Sequence, residues 1–206
     1  MLRPTLLAVL LITLAGCGGS SRFVPPTPEA AAYRDALLQI READQAPRNQ
    51  YVALQRRYDY RPPDALRLPL ARQILAADSA NQAALEVLVA ARGWPRTSEV
   101  GWRAASAAFL VVQHAPLAVQ RRHRPALEAA VEADEADPAW LAELTDRIAV
   151  REGRPQPYGS QIATDAATGT RRFHPIEDPA GVDARRAAVG LEPLADYARR
   201  MNVTYP

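Results

Sequence analysis

Lysine is missing from this chain of 206 residues, and all 25 of its basic side chains are arginine. Without lysine the protein cannot form a Schiff base with a substrate, and it has neither a P-loop lysine nor a lysine general base. Cysteine occurs once, as Cys17, which excludes internal disulfides and zinc sites built on several cysteines. We therefore expect packing alone to hold the fold.

The common catalytic signatures are also missing, among them G-x-S-x-G, G-x-G-x-x-G, H-E-x-x-H and the EF-hand loop. Ser160 stands in Tyr-Gly-Ser-Gln, but no neighbouring residue identifies a base for it. The histidines His114, His123 and His174 show no i, i+4 spacing. A metal site would therefore need carboxylates from elsewhere in the chain, and we predict no metal and no cofactor.

Strong charge of one sign is missing as well. The formal net charge is +2, and this argues against a nucleic-acid partner, because such proteins carry a strongly basic surface. The one basic run, Arg121-Arg122-His123-Arg124, has two interpretations: a contact to phosphates or lipid headgroups, or a solvated helix end just before Pro125. A single cluster without interleaved aromatic residues favours the second interpretation.

The N-terminus has the pattern of a secretory signal peptide. Residues 1–16 contain Arg3, then an apolar run over residues 6–14, then small residues. A run of about ten apolar residues is too short to span a bilayer, which takes about 20. We therefore predict a signal peptide over residues 1–16 rather than a membrane helix.

Leu14-Ala15-Gly16-Cys17 resembles a bacterial lipobox. The resemblance implies diacylglycerol attached to Cys17, cleavage before it, and acylation of the new amino terminus, and several acyl chains anchor a protein stably. A plain secreted protein with a chance cysteine is the alternative. Gly18 stands where enteric proteins retained at the inner membrane have aspartate, which implies an outer-membrane location facing the periplasm.

The rest of the chain is predicted to form one domain behind a short tether. Residues 17–28 are rich in glycine, serine and proline, as expected of a lipidated tether. Residues 29–206 are predicted to form a single compact, mainly α-helical domain of several helices. One small β-hairpin is expected near residues 156–176. An apolar fraction of 48% is enough for a buried core.

The helices are predicted from apolar spacing and from their caps. The first, over residues 29–44, places Tyr33, Leu37, Ile40 and Asp44 along one line. The helix over residues 99–114 is apolar on almost every side and is therefore predicted to be central. The other predicted helices cover residues 49–60, 66–77, 79–92, 125–135, 139–152, 179–189 and 193–201.

Specific residues are expected to begin and end these helices. Pro47 is expected to end the first helix, and Asn49 to cap the second. Asp137 and Asp178, each followed by a proline, are predicted N-caps. A glycine at position 190 is expected to close the helix before it through a Schellman-type turn.

The polar residues that could form a working site concentrate between residues 140 and 193. We predict a cleft between the end of the helix that carries His114, the helix that carries Trp140, and the turn from Tyr158 to Gln161. The candidate residues of this cleft are His114, Arg147, Tyr158, Gln161, Glu177, Asp178, Asp183 and Arg186.

Each candidate also has a purely structural interpretation. His114 ends an apolar helix, where the helix dipole favours an imidazolium, but it could also act as a general base. Glu177 and Asp178 form an adjacent carboxylate pair suited to acid–base chemistry, although capping already explains Asp178. Asp183 and Arg186 are spaced to pair on their own helix.

Arg147 falls on the packed side of its predicted helix, seven positions after Trp140. A guanidinium there needs a carboxylate partner, and Glu177 or Asp183 could supply it. The default interpretation is a structural clamp between the hairpin and the helix. An arginine that binds an anion is the alternative.

A series of short blocks between Gly93 and Tyr197 resembles a family of bacterial proteins known only as a domain of unknown function, over about residues 93–197. The blocks are GWP (93–95), VQHA (112–115), DRI (146–148), EGRPQ (152–156), YGSQ (158–161), PIEDP (175–179), VDARR (182–186) and GLEPL (190–194). Ser160 stands where the family tends to have threonine, and Pro116 where members often have aspartate. The resemblance implies no activity.

Two functions remain open, and so does the question of whether the protein is an enzyme. The first is a non-catalytic binding or interaction module, held to the membrane by its lipidated N-terminus, whose partner is an envelope protein or a small anionic ligand. The second is a periplasmic hydrolase or transferase with His114 or Glu177 as the base and Arg147 or Arg186 holding an anionic substrate.

Two features separate these functions. The acidic partner expected close after His114 is missing, because position 116 is a proline. This absence counts against the enzyme. A single open pocket formed by His114, Tyr158, Gln161 and Glu177 would favour it, whereas a scattered or buried arrangement would weaken it.

Overall fold

A computed structural model describes residues 23–165 and 167–204. The predicted signal peptide, Cys17 and half of the predicted tether lie outside the described residues. As predicted, the fold is mainly α-helical with one small β-hairpin. Its elements are α1 (Pro28–Arg57), α2 (Asp64–Arg92), α3 (Thr97–Val100), α4 (Trp102–His114), α5 (Leu117–Glu132), α6 (Pro138–Arg151), β1 (Ile162–Thr164), β2 (Arg171–Phe173), a 3-10 turn (Pro179–Gly181), α7 (Val182–Ala188) and α8 (Leu194–Met201).

Several predicted breaks between helices do not occur. Pro47 lies inside α1, and no second helix starts at Asn49. The helices predicted over residues 66–77 and 79–92 are likewise one helix, α2. Proline removes one backbone hydrogen bond and crowds the preceding turn, but α1 packs against both α2 and α4. The buried residues of α1 precede Pro47, and after it Arg48 contacts His114 of α4 and Asp78 of α2.

The cap predicted for α6 is confirmed. The Asp137 carboxylate accepts a hydrogen bond from the Ala139 N–H at 2.9 Å, with a proline at the first helical position. The cap predicted at Asp178 is wrong, because this residue adopts a left-handed conformation with φ of 41° and its side chain makes no capping hydrogen bond. The glycine closure is confirmed: Leu191 N donates to Arg186 O at 2.9 Å across Gly190, which has φ of 74°.

Gly101 divides the helix predicted over residues 99–114 into α3 and α4. Its φ is 82°, a conformation that glycine adopts without steric cost. The ring of Phe23 lies directly over it, so that a methyl group added at Gly101 would come within 2.8 Å of the ring. The start of the described chain is therefore packed onto the α3–α4 junction.

The prediction that α4 is central is confirmed. Nine of its residues, including Ser106 and Gln113, are buried. α1, α2, α3, α5 and α6 all pack against it. Phe109 on α4 stacks on Trp140 of α6, with ring centroids 5.7 Å apart. The alanines on the other sides of α4 let the neighbouring helices approach closely.

α2 is the least buried of the long helices, with Leu75 and Val87 more than 60% exposed. Among the described residues it alone is long and apolar enough to cross a membrane by length and composition, which is weak evidence of a span. Two carboxylates of α2, those of Asp78 and Glu86, form ion pairs with other helices. We therefore describe α2 as part of the folded domain.

The hairpin is shorter than predicted. β1 and β2 pair in antiparallel register, with Ile162 opposite Phe173 and Thr164 opposite Arg171. The remainder of the predicted hairpin contributes only an isolated bridge between Gln156 and Ile176. Pro155 and Pro157 flank Gln156, and Pro175 precedes Ile176. A proline has no N–H with which to continue a ladder.

Candidate functional site

His114, the last residue of α4, meets two aspartates that come from other helices. Asp44 lies on α1 and Asp78 on α2, and the potential ligand atoms of the three side chains lie within 4.8 Å of one another. Arg48 lies one turn after Asp44 and contacts both of the others. We call these four residues the His114 cluster.

The Asp44 carboxylate orients the imidazole. Asp44 is fully buried, and its Oδ1 lies 3.0 Å from Nδ1 of His114. Its other oxygen accepts a hydrogen bond from Gln45 Nε2 at 2.6 Å. A carboxylate beside Nδ1 favours a proton on that nitrogen, which leaves Nε2 as the acceptor of the neutral ring.

Arg48 occupies the space on the other side of the imidazole. Its Nε donates to His114 Nε2 at 3.2 Å, and its Nη2 donates to Asp78 Oδ1 at 2.6 Å. Its Nη1 is buried and has no hydrogen-bond partner among the residues that the structure describes. Both nitrogens of His114 are thus engaged, one by an acid and one by a guanidinium.

The ionised form of Asp44 is stabilised within the cluster. Burial raises the pKa of Asp44, but the hydrogen bond and charge of His114, together with the charge of Arg48, more than offset that effect, so the pKa lies below its usual value. Asp44 is therefore a carboxylate at neutral pH although no part of it is exposed.

A cavity of about 550 Å³ opens beside the cluster. α2, the connection between α4 and α5, and the end of α6 form its walls. Asp78 and Arg151 supply the charged groups, His114 supplies its imidazole, and Leu75 and Leu117 supply apolar surface. Cavities that combine a mainly apolar wall with a few polar groups are the usual form of small-ligand sites.

Asp44, Asp78 and His114 also have the donor types that bind a divalent transition metal. The carboxylates that the histidine spacing could not provide thus come from α1 and α2. However, the guanidinium of Arg48 lies among the three side chains and already neutralises the carboxylates. A metal could be held by these residues only if Arg48 moved out.

Arg147 on α6 lies on the packed side, as its spacing predicted, but it forms no ion pair with Glu177 or Asp183 within the described parts of the chain. Burial lowers its pKa to about 10, with the charge of Arg151 acting in the same direction and that of Glu143 in the opposite one. It is therefore still charged at neutral pH. Its Nε is buried without a hydrogen-bond partner in the described ranges.

The turn from Tyr158 to Gln161 is held by a buried carboxylate of α6. Asp146 is fully buried and accepts hydrogen bonds from the backbone N–H of Tyr158 at 2.8 Å and of Ser160 at 2.7 Å. Burial raises the pKa of Asp146, and these backbone hydrogen bonds only partly oppose that effect. Ser160 is thus part of a turn whose backbone the Asp146 carboxylate holds.

Gln156, which is also fully buried, ties the turn to the hairpin. Its side-chain amide donates to Gln161 O at 2.9 Å and His174 O at 3.0 Å, and it accepts from Gln161 N at 2.7 Å. Gln161 and the backbone of Glu177, whose N–H donates to Gln156 O, therefore surround Gln156, away from the His114 cavity.

Arg186 and Asp183 do not pair as their spacing predicted. Arg186 is 1% exposed and donates to Tyr158 O at 2.7 Å and to Glu192 O at 2.6 Å. Asp183 instead accepts a hydrogen bond from Leu194 N at 2.7 Å, at the start of α8. Both charged side chains therefore hydrogen-bond backbone groups.

Glu177 and Asp178 are exposed, and Asp178 pairs with Arg185 at 3.2 Å.

The basic run lies in the middle of α5 rather than at a helix end. Arg121 pairs with Glu152, and Arg122 pairs with Glu86. His123 is 7% exposed, and its Nε2 lies 2.9 Å from the Glu86 carboxylate. The predicted solvated helix end is therefore wrong, and the contacts with Glu152 and Glu86 give the run a structural role.

Of the eight predicted cleft residues, only His114 lines the cavity. The sequence did not predict that Asp44, Arg48 and Asp78 cluster with His114. One signal was present, because Asp44 continues the line of Tyr33 and Leu37 on the apolar face of α1, and a buried carboxylate there requires a partner. No local pattern marks Arg48 or Asp78. Asp44 on α1 supplies the acidic partner that the residues close after His114 lack.

Comparison with known proteins agrees with the resemblance of the sequence blocks. No match was found among curated proteins or among solved structures. A family of unknown function, DUF6624, matches residues 31–206, which extends well before Gly93 and takes in Asp44, Arg48 and Asp78. The chain therefore belongs to the family of unknown function DUF6624.

Proposed function

We propose that this protein is a lipid-anchored protein of the bacterial cell envelope, whose helical domain binds a small anionic ligand in the His114 cavity without catalysing a reaction. One observation carries the choice of binding over catalysis. Both imidazole nitrogens of His114 are already engaged, Nδ1 by Asp44 at 3.0 Å and Nε2 by Arg48 at 3.2 Å. No ring nitrogen is free to take a proton from a substrate.

The chemistry of the cavity supports an anion that also carries an apolar part. Arg151 lines the cavity, and Arg48 contacts two residues of its wall, His114 and Asp78. Leu75 and Leu117 offer apolar surface to the rest of the ligand. Asp78 reduces the local positive charge, so a singly charged group fits this site better than a multiply charged one.

A variant that fills the cavity tests this proposal. Ser79 is exposed on α2 and lines the cavity, so Ser79→Trp should block ligand entry without disturbing the core. Ala84→Trp is the matched control, because Ala84 is exposed on α2 and does not line the cavity. We expect hexanoate to bind the wild type and Ala84→Trp in ligand-observed NMR, and not Ser79→Trp. Equal binding by all three proteins would contradict the proposal.

The membrane anchor is supported by the leader and the lipobox-like residues before Cys17. We expect mass spectrometry of the protein from bacterial membranes to find diacylglycerol and an N-linked acyl chain on Cys17. Cys17→Ser should carry no acyl chain, because serine has no thiol to receive diacylglycerol. An unmodified Cys17 thiol in the wild type would contradict the anchor. A separate comparison of inner-membrane and outer-membrane fractions tests the outer-membrane location.

The Asp44–His114 pair favours a hydrolase or transferase as the second candidate. A buried carboxylate that orients an imidazole is a recurring arrangement for general bases. Catalysis would require Arg48 to leave Nε2 and to hold the anionic substrate instead. We would conclude that the protein is an enzyme rather than a binding module if the wild type and Ala84→Trp hydrolyse p-nitrophenyl esters or phosphates and His114→Gln does not.

A further inference from the structure

Two adjoining cavities lie where α1 ends and the chain turns into α2, against the hairpin. Their volumes are about 350 and 190 Å³, and both are lined by Tyr51, Gln55, Tyr60 and Thr164. We call the two cavities together the tyrosine groove. None of these four residues lines the His114 cavity, so the groove is a separate place to hold a ligand.

The groove has an excess of positive charge. Its walls include Arg56, Arg61, Arg67 and Arg171, against a single carboxylate, Asp64. That carboxylate pairs with Arg67 at 2.7 Å. Asp59, just outside the walls, lies 3.9 Å from Arg61, so four arginines and two carboxylates leave an excess of two positive charges. This equals the formal charge of +2 of the whole chain, and a ligand of opposite sign would neutralise it.

The backbone at Tyr60 is held in an unfavourable conformation. Its φ is 61°, and that of Asp59 before it is 49°. Aromatic residues rarely adopt this left-handed region, and such strain persists where the surroundings impose it, often at ligand sites. The hairpin turn packs closely against this segment, because a methyl group added at Gly169 would come within 2.7 Å of Asp59 O.

Arg171 fixes the phenol of Tyr60 in the groove. Its Nη1 donates to the Tyr60 hydroxyl at 3.1 Å, and its guanidinium carbon lies 4.5 Å from the centroid of the tyrosine ring. Two buried atoms beside the groove have no hydrogen-bond partner among the described residues: the acceptor Gln55 Oε1 and the donor Arg171 Nε. Both atoms belong to side chains that line the groove.

We propose that the tyrosine groove binds a phosphomonoester. Such a group carries close to two negative charges at neutral pH, together with several strong acceptor oxygens, and arginine is the side chain best suited to hold them. The tyrosine faces and the amide of Gln55 suit a hydroxyl-bearing ring such as that of a sugar. The phosphate can belong to a soluble sugar phosphate or to a lipid headgroup such as phosphatidic acid.

Calorimetric titration of the full chain in detergent micelles with glucose 6-phosphate tests the proposal. The double variant Arg61→Gln/Arg67→Gln should weaken binding by about tenfold or more, because each charge-assisted hydrogen bond contributes strongly to the affinity. Arg122→Gln is the control, since Arg122 is about as exposed as Arg61 and pairs with Glu86, far along α2 from Arg67. It should bind like the wild type.

A second pair of variants keeps the test valid if the double variant fails to fold. Thr164 is exposed on β1 and lines both cavities. Thr164→Glu places a negative charge in the groove and should abolish binding, whereas Thr164→Gln, of the same size, should retain it. If glucose 6-phosphate does not bind in micelles and phosphatidic acid does not bind in nanodiscs, the proposal is wrong. It is also wrong if Thr164→Glu and Thr164→Gln bind equally well.

Nanodiscs distinguish the two sources of phosphate. In discs of phosphatidylcholine, glucose 6-phosphate should bind as it does in micelles. In discs that also contain phosphatidic acid, loss of this binding shows that the lipid headgroup occupies the groove, and retained binding assigns the groove to a soluble ligand. None of these variants alters the His114 cavity, so failure here leaves the hexanoate test unaffected.

Discussion

The His114 cluster and the turn held by Asp146 and Arg186 both bury charged groups, but they use them differently. In the His114 cluster, charged side chains from α1, α2 and α4 meet one another beside an open cavity. In the C-terminal part, Asp146 and Arg186 bind the backbone of irregular segments. Buried charge alone therefore does not identify a site. A site also requires an open space that the charges face.

The largest expected effect of a single change is on the turn. Asp146→Ala should lower the free energy of unfolding by about 3 kcal/mol, because the N–H groups of Tyr158 and Ser160 lose a shared charged acceptor. Asp44→Ala should cost about 2 kcal/mol, since the side chains it releases can turn toward water in the cavity. Urea unfolding of both variants measures the difference. A larger loss in Asp44→Ala would reverse the comparison.

The two aspartates should also respond to pH with opposite signs. The pKa of Asp44 is lowered in the folded protein, so its stabilisation is complete above about pH 4 and disappears as the pH falls through the folded value. The pKa of Asp146 is raised, so ionisation of this group opposes folding increasingly as the pH rises above about 4.

Urea unfolding of Asp44→Asn and Asp146→Asn between acid and neutral pH measures this contrast. The loss of stability in Asp44→Asn should shrink toward low pH, because the wild type then loses its carboxylate as well. The loss in Asp146→Asn should instead shrink toward neutral pH. Parallel pH profiles for the two variants would show that the environments of the two carboxylates do not differ as described.

Gly101→Ala should have a smaller effect, of about 1–2 kcal/mol, because alanine is strained at φ of 82° and its methyl group meets the Phe23 ring. The double variant with Phe23→Ala should recover part of the loss, since the clash with the ring disappears while the strain remains. Thermal unfolding of both variants tests this. Full recovery would show that the backbone strain contributes nothing.

The smallest effect is expected from an exposed ion pair. Arg121 is 60% exposed and pairs with Glu152, so Arg121→Gln should change the free energy of unfolding by only about 0.5 kcal/mol, and less at high salt. Urea unfolding at two salt concentrations measures it. A loss as large as that of Asp44→Ala would contradict the distinction between exposed and buried charges.

Local signals predicted much of the fold. The apolar sides of α4, the Asp137–Pro138 cap and the glycine at position 190 act within a few residues of themselves, and all three predictions are confirmed. Pro47 misled the prediction of α1, because the effect of a proline depends on what packs around it. The packing of α1 on α2 and α4 is a long-range property that no window of sequence contains.

The candidate site was less predictable for the same reason. The contacts of His114 with Asp44 and Arg48 join residues 70 and 66 positions apart. Arg186 was expected to hold a ligand or a neighbouring carboxylate, whereas it binds two backbone carbonyls. Spacing indicates which side chains share a helix face, but it does not indicate which face of another helix lies opposite.

The position of Phe23 on Gly101 limits where the domain can stand if Cys17 carries lipid. Phe23 follows Cys17 by six residues, and a fully extended chain covers at most roughly 20 Å over that length. The α3–α4 junction, with the half-exposed indole of Trp102 beside Phe23, would then lie within that distance of the bilayer surface. This short tether would keep the side of the domain that contains the α3–α4 junction facing the membrane.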